Sequence, residues 1–259
     1  MNRVHVFCVA NNAEILAANL ARSPDIAEGR IGFSVLWHQA SAAAAYGLAF
    51  GASDAAFGVF VHQDVYLPRG WFERLERILD DLDRTNPLWL VAGAIGIDAA
   101  ARHCGRIWDS GLMREIGARL DTPVAIRNLD EVLLVMPRRA AHLWDRALPG
   151  FHLFATDLVL AAEMQGHPAL AFDNPLIHNT KAVLRLGPDY LAAYRHLVAK
   201  WALELPRPTL IAGLTARRRD IVMFRLRLWY KRVFRKGTYS LSPVDAPSRA
   251  AALGYDMQE

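Results

Sequence analysis

The first 180 residues alternate two hydrophobic patterns. Short continuous apolar runs, Val4 to Val9, Ile31 to Trp37, Phe57 to Val61 and Leu88 to Ile97, read as strands buried on both faces. Between them lie helix formers behind polar or proline punctuation. Asn11-Asn12 precedes Ala13 to Arg22, Ser41 precedes an alanine-rich stretch to about Ala52, and Pro68 and Gly70 open Trp71 to Leu82. Such alternation predicts an α/β domain with a mostly parallel central sheet flanked by helices. Glu131 to Met136 resumes strand character. A short helix over Arg138 to Trp144, a longer one over Thr156 to Gln165 and a strand over Pro168 to Phe172 follow. Asp98 to Val124 has scattered glycines and charges without a period, and reads as loops and short strands around a site.

From Pro188 the pattern is helical, broken at Pro206 and Pro208. Over Ile221 to Phe234, Val222, Leu226, Trp229, Tyr230 and Val233 fall on one stripe with basic residues around it. Two readings follow: the stripe packs on the core, or it lies on an anionic membrane surface with Trp229 and Tyr230 at the interface. Ser240 to Glu259 reads as a loosely ordered tail. The expected organisation is a domain over residues 1–185 and a basic helical extension with a tail over 186–259.

Composition narrows the function classes. With 259 residues, 53% of them hydrophobic and 22% charged, the chain can bury a substantial core. Cys8 and Cys104 stand far apart with no partner at metal-ligand spacing, which argues against a disulfide framework or a zinc site. Met1 to Val9 reads as a strand rather than a signal peptide, and no run of about 18 apolar residues is present. The expected location is cytoplasmic, either free or peripheral at the membrane. The net charge of +4 favours anionic partners. Much of it is concentrated in Arg217, Arg218, Arg219, Arg225, Arg227, Lys231, Arg232, Arg235 and Lys236, opposed there by Asp220. No aromatic-interleaved recognition motif accompanies it, so nucleic acid is not an expected partner.

The sharpest chemical signal is VFVHQDVYLPRGW, residues 59–71, where an apolar strand runs into His62-Gln63-Asp64 and then a proline-gated helix. Ligands of open α/β sheets bind at the carboxyl ends of strands. Strand alternation puts His62 and Asp64 on one side and turns Gln63 away. A carboxylate and an imidazole can thus address one divalent cation, Mn²⁺ or Mg²⁺, of the kind that steadies a diphosphate leaving group. Equally, Asp64 can cap the following turn, with His62 a satisfied half-buried side chain.

This segment belongs to an ordered series of phrases: FCVANNAE (7–14), SAAAAYGLAFGASDAA (41–56), VFVHQDVYLPRGW (59–71), LDEVLLVMPR (129–138), FHLFATDLVL (151–160) and LIHNT (176–180). In that order they resemble the glycosyltransferase-like domain named after streptomycin biosynthesis, a relative of family-2 GT-A transferases. The resemblance implies a GT-A fold and transfer of a sugar from a nucleoside diphosphate sugar to a hydroxyl acceptor, whether a glycan, a lipid-linked molecule or a small molecule. His62-Gln63-Asp64 takes the place of the Asp-x-Asp metal and diphosphate motif, with His at its first position. His178 of LIHNT corresponds to a late metal-ligating histidine, and Asn11 and Asn12 to contacts with the nucleoside. Asp157 corresponds to the carboxylate that takes the acceptor proton in inverting transfer, although Asp157 or Thr156 can also simply cap the helix. Asp130 and Glu131 stand where they can orient the acceptor. The substituted Asp-x-Asp motif and the missing Gln-x-x-Arg-Trp phrase also fit a non-catalytic GT-A-like nucleotide-sugar-binding protein. The basic C-terminal helix fits a membrane-surface scaffold.

Overall fold

The computed structural model describes residues 3–180, 186–234 and 244–256. Arg235 and Lys236 of the basic segment, and both ends of the expected tail, lie outside them.

The strands are β1 (Val4–Ala10), β2 (Gly32–Trp37), β3 (Phe57–Val61), β4 (Val65–Tyr66), β5 (Ala92–Gly93), β6 (Ile95–Ile97), β7 (His103–Asp109), β8 (Arg114–Ala118), β9 (Val124–Ile126), β10 (Asn128–Leu129), β11 (Leu133–Pro137), β12 (Ala169–Ala171) and β13 (Leu176–His178). The helices are α1 (Ala13–Ala18), α2 (Pro24–Ala27), α3 (Ala42–Ala52), α4 (Trp71–Thr85), α5 (Phe154–Met164), α6 (Pro188–Lys200), α7 (Arg218–Phe234) and α8 (Ala246–Ala252).

The main sheet runs β2-β1-β3-β11-β5-β12-β9. Its first three strands are parallel, as the alternation predicts. Beyond β3 the sheet is mixed: β11 is antiparallel to both β3 and β5, β12 is parallel to β5, and β9 is antiparallel to β12. Five of the seven strands, β2, β1, β3, β5 and β12, thus point one way, the mostly parallel sheet expected, and β11 and β9 are reversed. Strand β5 follows β3 through α4, a crossover that keeps the two parallel, whereas no helix lies between β5 and β11.

Burial of both faces explains the continuous apolar runs. Along β3 and β11, Val59, Val61, Leu133 and Val135 enter one core with α4. Phe60, Leu134 and Met136 enter the other, with α3, α5 and α6. Helix α4 covers its side with Trp71, Phe72, Leu75, Leu79 and Leu82, one apolar stripe at helical spacing. The Asn12 and Ser41 side chains accept from the backbone N–H groups of Ile15 and Ala44 and fix where α1 and α3 begin.

A second sheet, β10-β6-β7-β13-β4 with β8 beside β7, carries the other half of the site. The segment Leu88–Ile97, expected as one strand, divides here: β5 belongs to the main sheet and β6 to the second. Gly105 makes room for that junction, since a Cβ on it would stand 2.1 Å from the Ala94 carbonyl oxygen, at φ +88°. The region expected as loops and short strands holds the hairpin β7–β8.

In the expected extension, Tyr190, Ala193, Tyr194 and Leu197 of α6 belong to the main core. Residues 244–256 of the expected tail are not loose: α8, capped by Asp245, and the turn after it set Ala246, Ala250 and Tyr255 against Tyr66, Trp108 and Ile177 of the second sheet. Among the described residues no helix is long and apolar enough to cross a membrane.

Candidate functional site

The first three parallel strands end together, and a cleft opens at their carboxyl ends. Val9, Ala10, Asn11, His38, Gln39, Ala42, Tyr46, His62, Gln63, Asp64, Phe151, His152 and Phe154 line it. Tyr46 rises from α3 to fix its floor. The Tyr46 hydroxyl accepts from the Val9 N–H at 3.1 Å and donates to the Val61 carbonyl at 3.4 Å, tying the ends of β1 and β3 together.

His62-Gln63-Asp64 forms the turn between β3 and β4. In β4, Val65 pairs with His178 of β13, and His178 pairs in turn with Asp109 of β7. This cross-strand row sets three side chains in line. His178 Nε2 lies 3.6 Å from Asp64 Oδ1, and His178 Nδ1 lies 3.1 Å from Asp109 Oδ2. His62 Nδ1 approaches the same Asp64 oxygen at 3.9 Å. One ligand atom from each of His62, Asp64 and His178 lies within 4.8 Å of the others.

Two observations test whether this set fits a metal ion. Asp64 Oδ1 is buried and has no hydrogen-bond partner, a costly state for a carboxylate oxygen that a cation would relieve. Asp109 holds the second nitrogen of His178, the carboxylate–imidazole arrangement that orients metal-ligating histidines, and itself accepts from the Leu112 N–H at 2.8 Å. The residues fit. Two nitrogens and one carboxylate favour Mn²⁺ or another first-row ion over Mg²⁺, which prefers oxygen ligands. Burial works against charge on His178, yet the carboxylates of Asp64, Asp109 and Asp130 hold its pKa up to about 9. Burial lowers His62, with Asp64 opposing and His178 adding to the fall. Without metal, His178 is the cation of the cluster.

Asp109 lay unmarked in a stretch without a period, because what makes it useful is its pairing with a strand 69 residues later. Asp109→Asn is expected to weaken Mn²⁺ binding by about 10–100-fold while leaving the fold intact, as read by metal titration beside circular dichroism.

The remaining expected residues divide between the cleft and its surroundings. Gln63 does not turn away. Its side-chain carbonyl accepts from the N–H groups of Asn11 and Asn12 at 3.1 and 3.0 Å, and its amide donates to Asn11 Oδ1 at 2.7 Å. A turn rather than a strand carries the motif, so strand alternation does not apply. Asn11 lines the cleft, whereas the Asn12 side chain is committed to capping α1. His38, His152 and Gln39 join the cleft without a sequence signal. His38 sits at φ +55°, a conformation a non-glycine residue holds only when its surroundings impose it.

Asp130 and Glu131 face a smaller neighbouring cavity with Asn128, Thr156, Tyr190 and Thr209, separated from the cleft by the turn 151–154. Asp130 accepts from the Val132 N–H at 2.9 Å. Burial pushes the Glu131 carboxyl up to about 8; the neighbouring Asp130 charge adds to this and the Leu153 N–H opposes it. A carboxyl raised on folding contributes stability that is fully present below its unfolded pKa and is lost as pH rises through the folded one. Glu131→Gln is therefore expected to raise the melting temperature by about 2–4 °C near pH 9 and to leave it unchanged near pH 4. Thermal scans at the two pH values check this.

Asp157 is not in the cleft. It is 1% exposed. Its carboxylate accepts from Trp201 Nε1 at 2.7 Å and from Lys200 Nζ at 3.0 Å. The resemblance implies an accessible general base here, whereas the Asp157 side chain is turned into the packing against the end of α6, although Phe154 one turn earlier lines the cleft.

No family model matches the chain. A curated protein of Fuscovulum blasticum described as "ATP synthase subunits region ORF 6" is 30% identical over 151 residues, 53% of this chain and 59% of that protein. The chain thus spans about three fifths of that relative's length. Among solved structures, GalNAc-T7 with UDP, GalNAc and Mn²⁺ superposes with a TM-score of 0.45 at 11% identity, covering 91% of this chain and 57% of that one. Residues 1–349 of S. aureus TarS give 0.45 at 12% identity, covering 98% and 80%. The mannosyltransferase PcManGT from Pyrobaculum calidifontis, in complex with GDP-Man and Mn²⁺, gives 0.44 at 14% identity, covering 97% and 74%. All three scores lie below 0.5, and the chemistry of the cleft has to be read from its own residues.

Proposed function

We propose that this chain is a GT-A-type glycosyltransferase that moves a sugar from a nucleoside diphosphate sugar to a hydroxyl acceptor with the help of a divalent cation. One observation carries the reading: His62, Asp64 and His178 converge beside an open cleft at the strand ends, around a buried Asp64 oxygen with no partner. The ordered phrases that resemble the streptomycin-biosynthesis type of domain support it independently. The three side chains would hold Mn²⁺ or a similar ion, whose charge would stabilise the departing diphosphate.

The rest is work for the chain's own residues. The locked pair Asn11 and Gln63, with His38 and Gln39, would seat the nucleoside. The backbone of Asn11 and Asn12 is already tied to Gln63, so that wall of the cleft is organised before a ligand arrives. His152 lines the cleft with its Nε2 3.3 Å from Asp189 Oδ2, and burial lowers its pKa against the opposing Asp189 charge. It would take the acceptor's proton. Asp130 and Glu131, beyond the 151–154 turn, would orient the acceptor.

The test is a panel of nucleoside diphosphate sugars incubated with the full chain and Mn²⁺, with released nucleoside diphosphate measured with and without candidate hydroxyl acceptors. Acceptor-stimulated release from one donor is expected. Binding of a donor without release under any acceptor would favour the nucleotide-sugar-binding alternative, and failure to bind any donor would end the transferase reading.

A further inference from the structure

Helix α7 has two apolar faces, and one of them packs on the core. Leu228 is buried in the main core, and Ile221 and Phe224 pack against that core. Advancing about 100° per residue places these three on one side of the helix. Val222, Leu226, Trp229, Tyr230 and Val233, the stripe visible in the sequence, fall on the opposite side together with Met223. Val233 is half-buried and the others are 50–58% exposed. Of the two readings of that stripe, packing on the core is performed by a different set of residues, and most of the stripe itself faces outward.

Charge frames the outward face. Arg225 and Arg227 fall on its two flanks, Arg218 and Arg219 stand near its first turn, and all four are exposed. Residues 217–234 contain seven basic residues and one acid, against a net +4 for the whole chain, so the remainder of the protein is slightly acidic. The one acid, Asp220, is shared between Arg219 at 3.6 Å and the Thr215 hydroxyl at 3.0 Å. An apolar arc about 120° wide with arginines on both margins is the arrangement of a helix lying in a bilayer interface, apolar side chains among acyl chains and guanidinium groups level with phosphates. A second protein could cover the apolar arc, but an exposed arginine on each flank, with Arg218 and Arg219 near the first turn, favours a surface that is anionic on both sides of the contact.

We propose that the outward face of α7 docks this protein on an anionic lipid bilayer. The inner face, fixed to the core, makes the attachment rigid: the helix is part of the fold before it meets the membrane. Neither the metal cluster nor the proposed transfer enters this inference.

The experiment is co-sedimentation of the full chain with phosphatidylcholine vesicles with and without phosphatidylglycerol, at low and high salt. Two variants accompany the wild type, Met223→Asp/Leu226→Asp and Arg218→Glu/Arg225→Glu/Arg227→Glu, each checked by circular dichroism. All substituted side chains are exposed, so both variants are expected to fold. Binding to the anionic vesicles that weakens with salt, and that falls by about tenfold or more in each variant, is expected. No binding by folded wild type, or equal binding to both vesicle types, would overturn the proposal. So would a wild type that self-associates in light scattering and becomes monomeric in the Met223→Asp/Leu226→Asp variant, because a second copy would then be the occupant.

Discussion

Asp64→Ala is expected to reduce donor turnover by about a thousandfold and to remove Mn²⁺-dependent thermal stabilisation altogether. Asp64 is the one carboxylate among the three converging ligands, and its Oδ1 is the atom both imidazoles approach, at 3.9 and 3.6 Å. Without it, two histidines, one in the β3–β4 turn and one on β13, are left to hold the ion, too few for a firm site. The fold should survive, because the side chain lies in a turn at the edge of the cleft and its Oδ1 bonds nothing within the protein. The backbone contact from the Asn179 N–H to the Asp64 carbonyl, 2.8 Å, remains. Thermal scans with and without Mn²⁺, beside a donor-turnover assay, separate the two effects. A variant that turned over normally would remove Asp64 from the chemistry.

Asp157→Ala is expected to act through stability instead, costing about 3 kcal/mol and about 6–12 °C in melting temperature. The carboxylate is buried between α5 and α6, and its removal strips Trp201 Nε1 of its acceptor. Lys200 would then depend on Asp145 alone, at 2.8 Å, an oxygen that His196 already shares at 2.9 Å. Burial raises the Asp157 carboxyl even with Lys200 beside it, so the pair is held at some cost, and breaking it leaves a half-buried ammonium short of charge. Unchanged thermal stability combined with lost turnover would restore Asp157 to the role of base that the family resemblance implies.

The contrast between these two aspartates shows what sequence conveys about the site. The apolar run Phe57–Val61 followed at once by polar residues marks a buried strand end, and Asp64 could be located from that alone. His178 was accessible through the phrase around it. Asp109, Gln63 and His152 were not, because their roles depend on pairings across 69, 52 and 37 residues, with His178, Asn11 and Asp189 respectively. Asp157 shows the reverse failure: a helix start looks alike whether it faces a cleft or a neighbouring helix, and Lys200 lies 43 residues downstream. For the fold, the first three strands and their helices followed from pattern, since each unit is local. The reversed strands β11 and β9, the split between β5 and β6 and the return of α8 depend on long-range pairing. In α7 both sides are apolar, so amphipathicity could not say which one meets the core.

The most direct test of the central claim is calorimetric titration of the full chain with Mn²⁺ and then with a series of nucleoside diphosphates, in the wild type and in Asp64→Ala. The expected result is one Mn²⁺ site, one nucleoside diphosphate that binds only with the ion present, and loss of both in the variant. Nucleoside diphosphate binding that is indifferent to Mn²⁺ and unchanged by Asp64→Ala would contradict a metal-assisted diphosphate site at His62, Asp64 and His178.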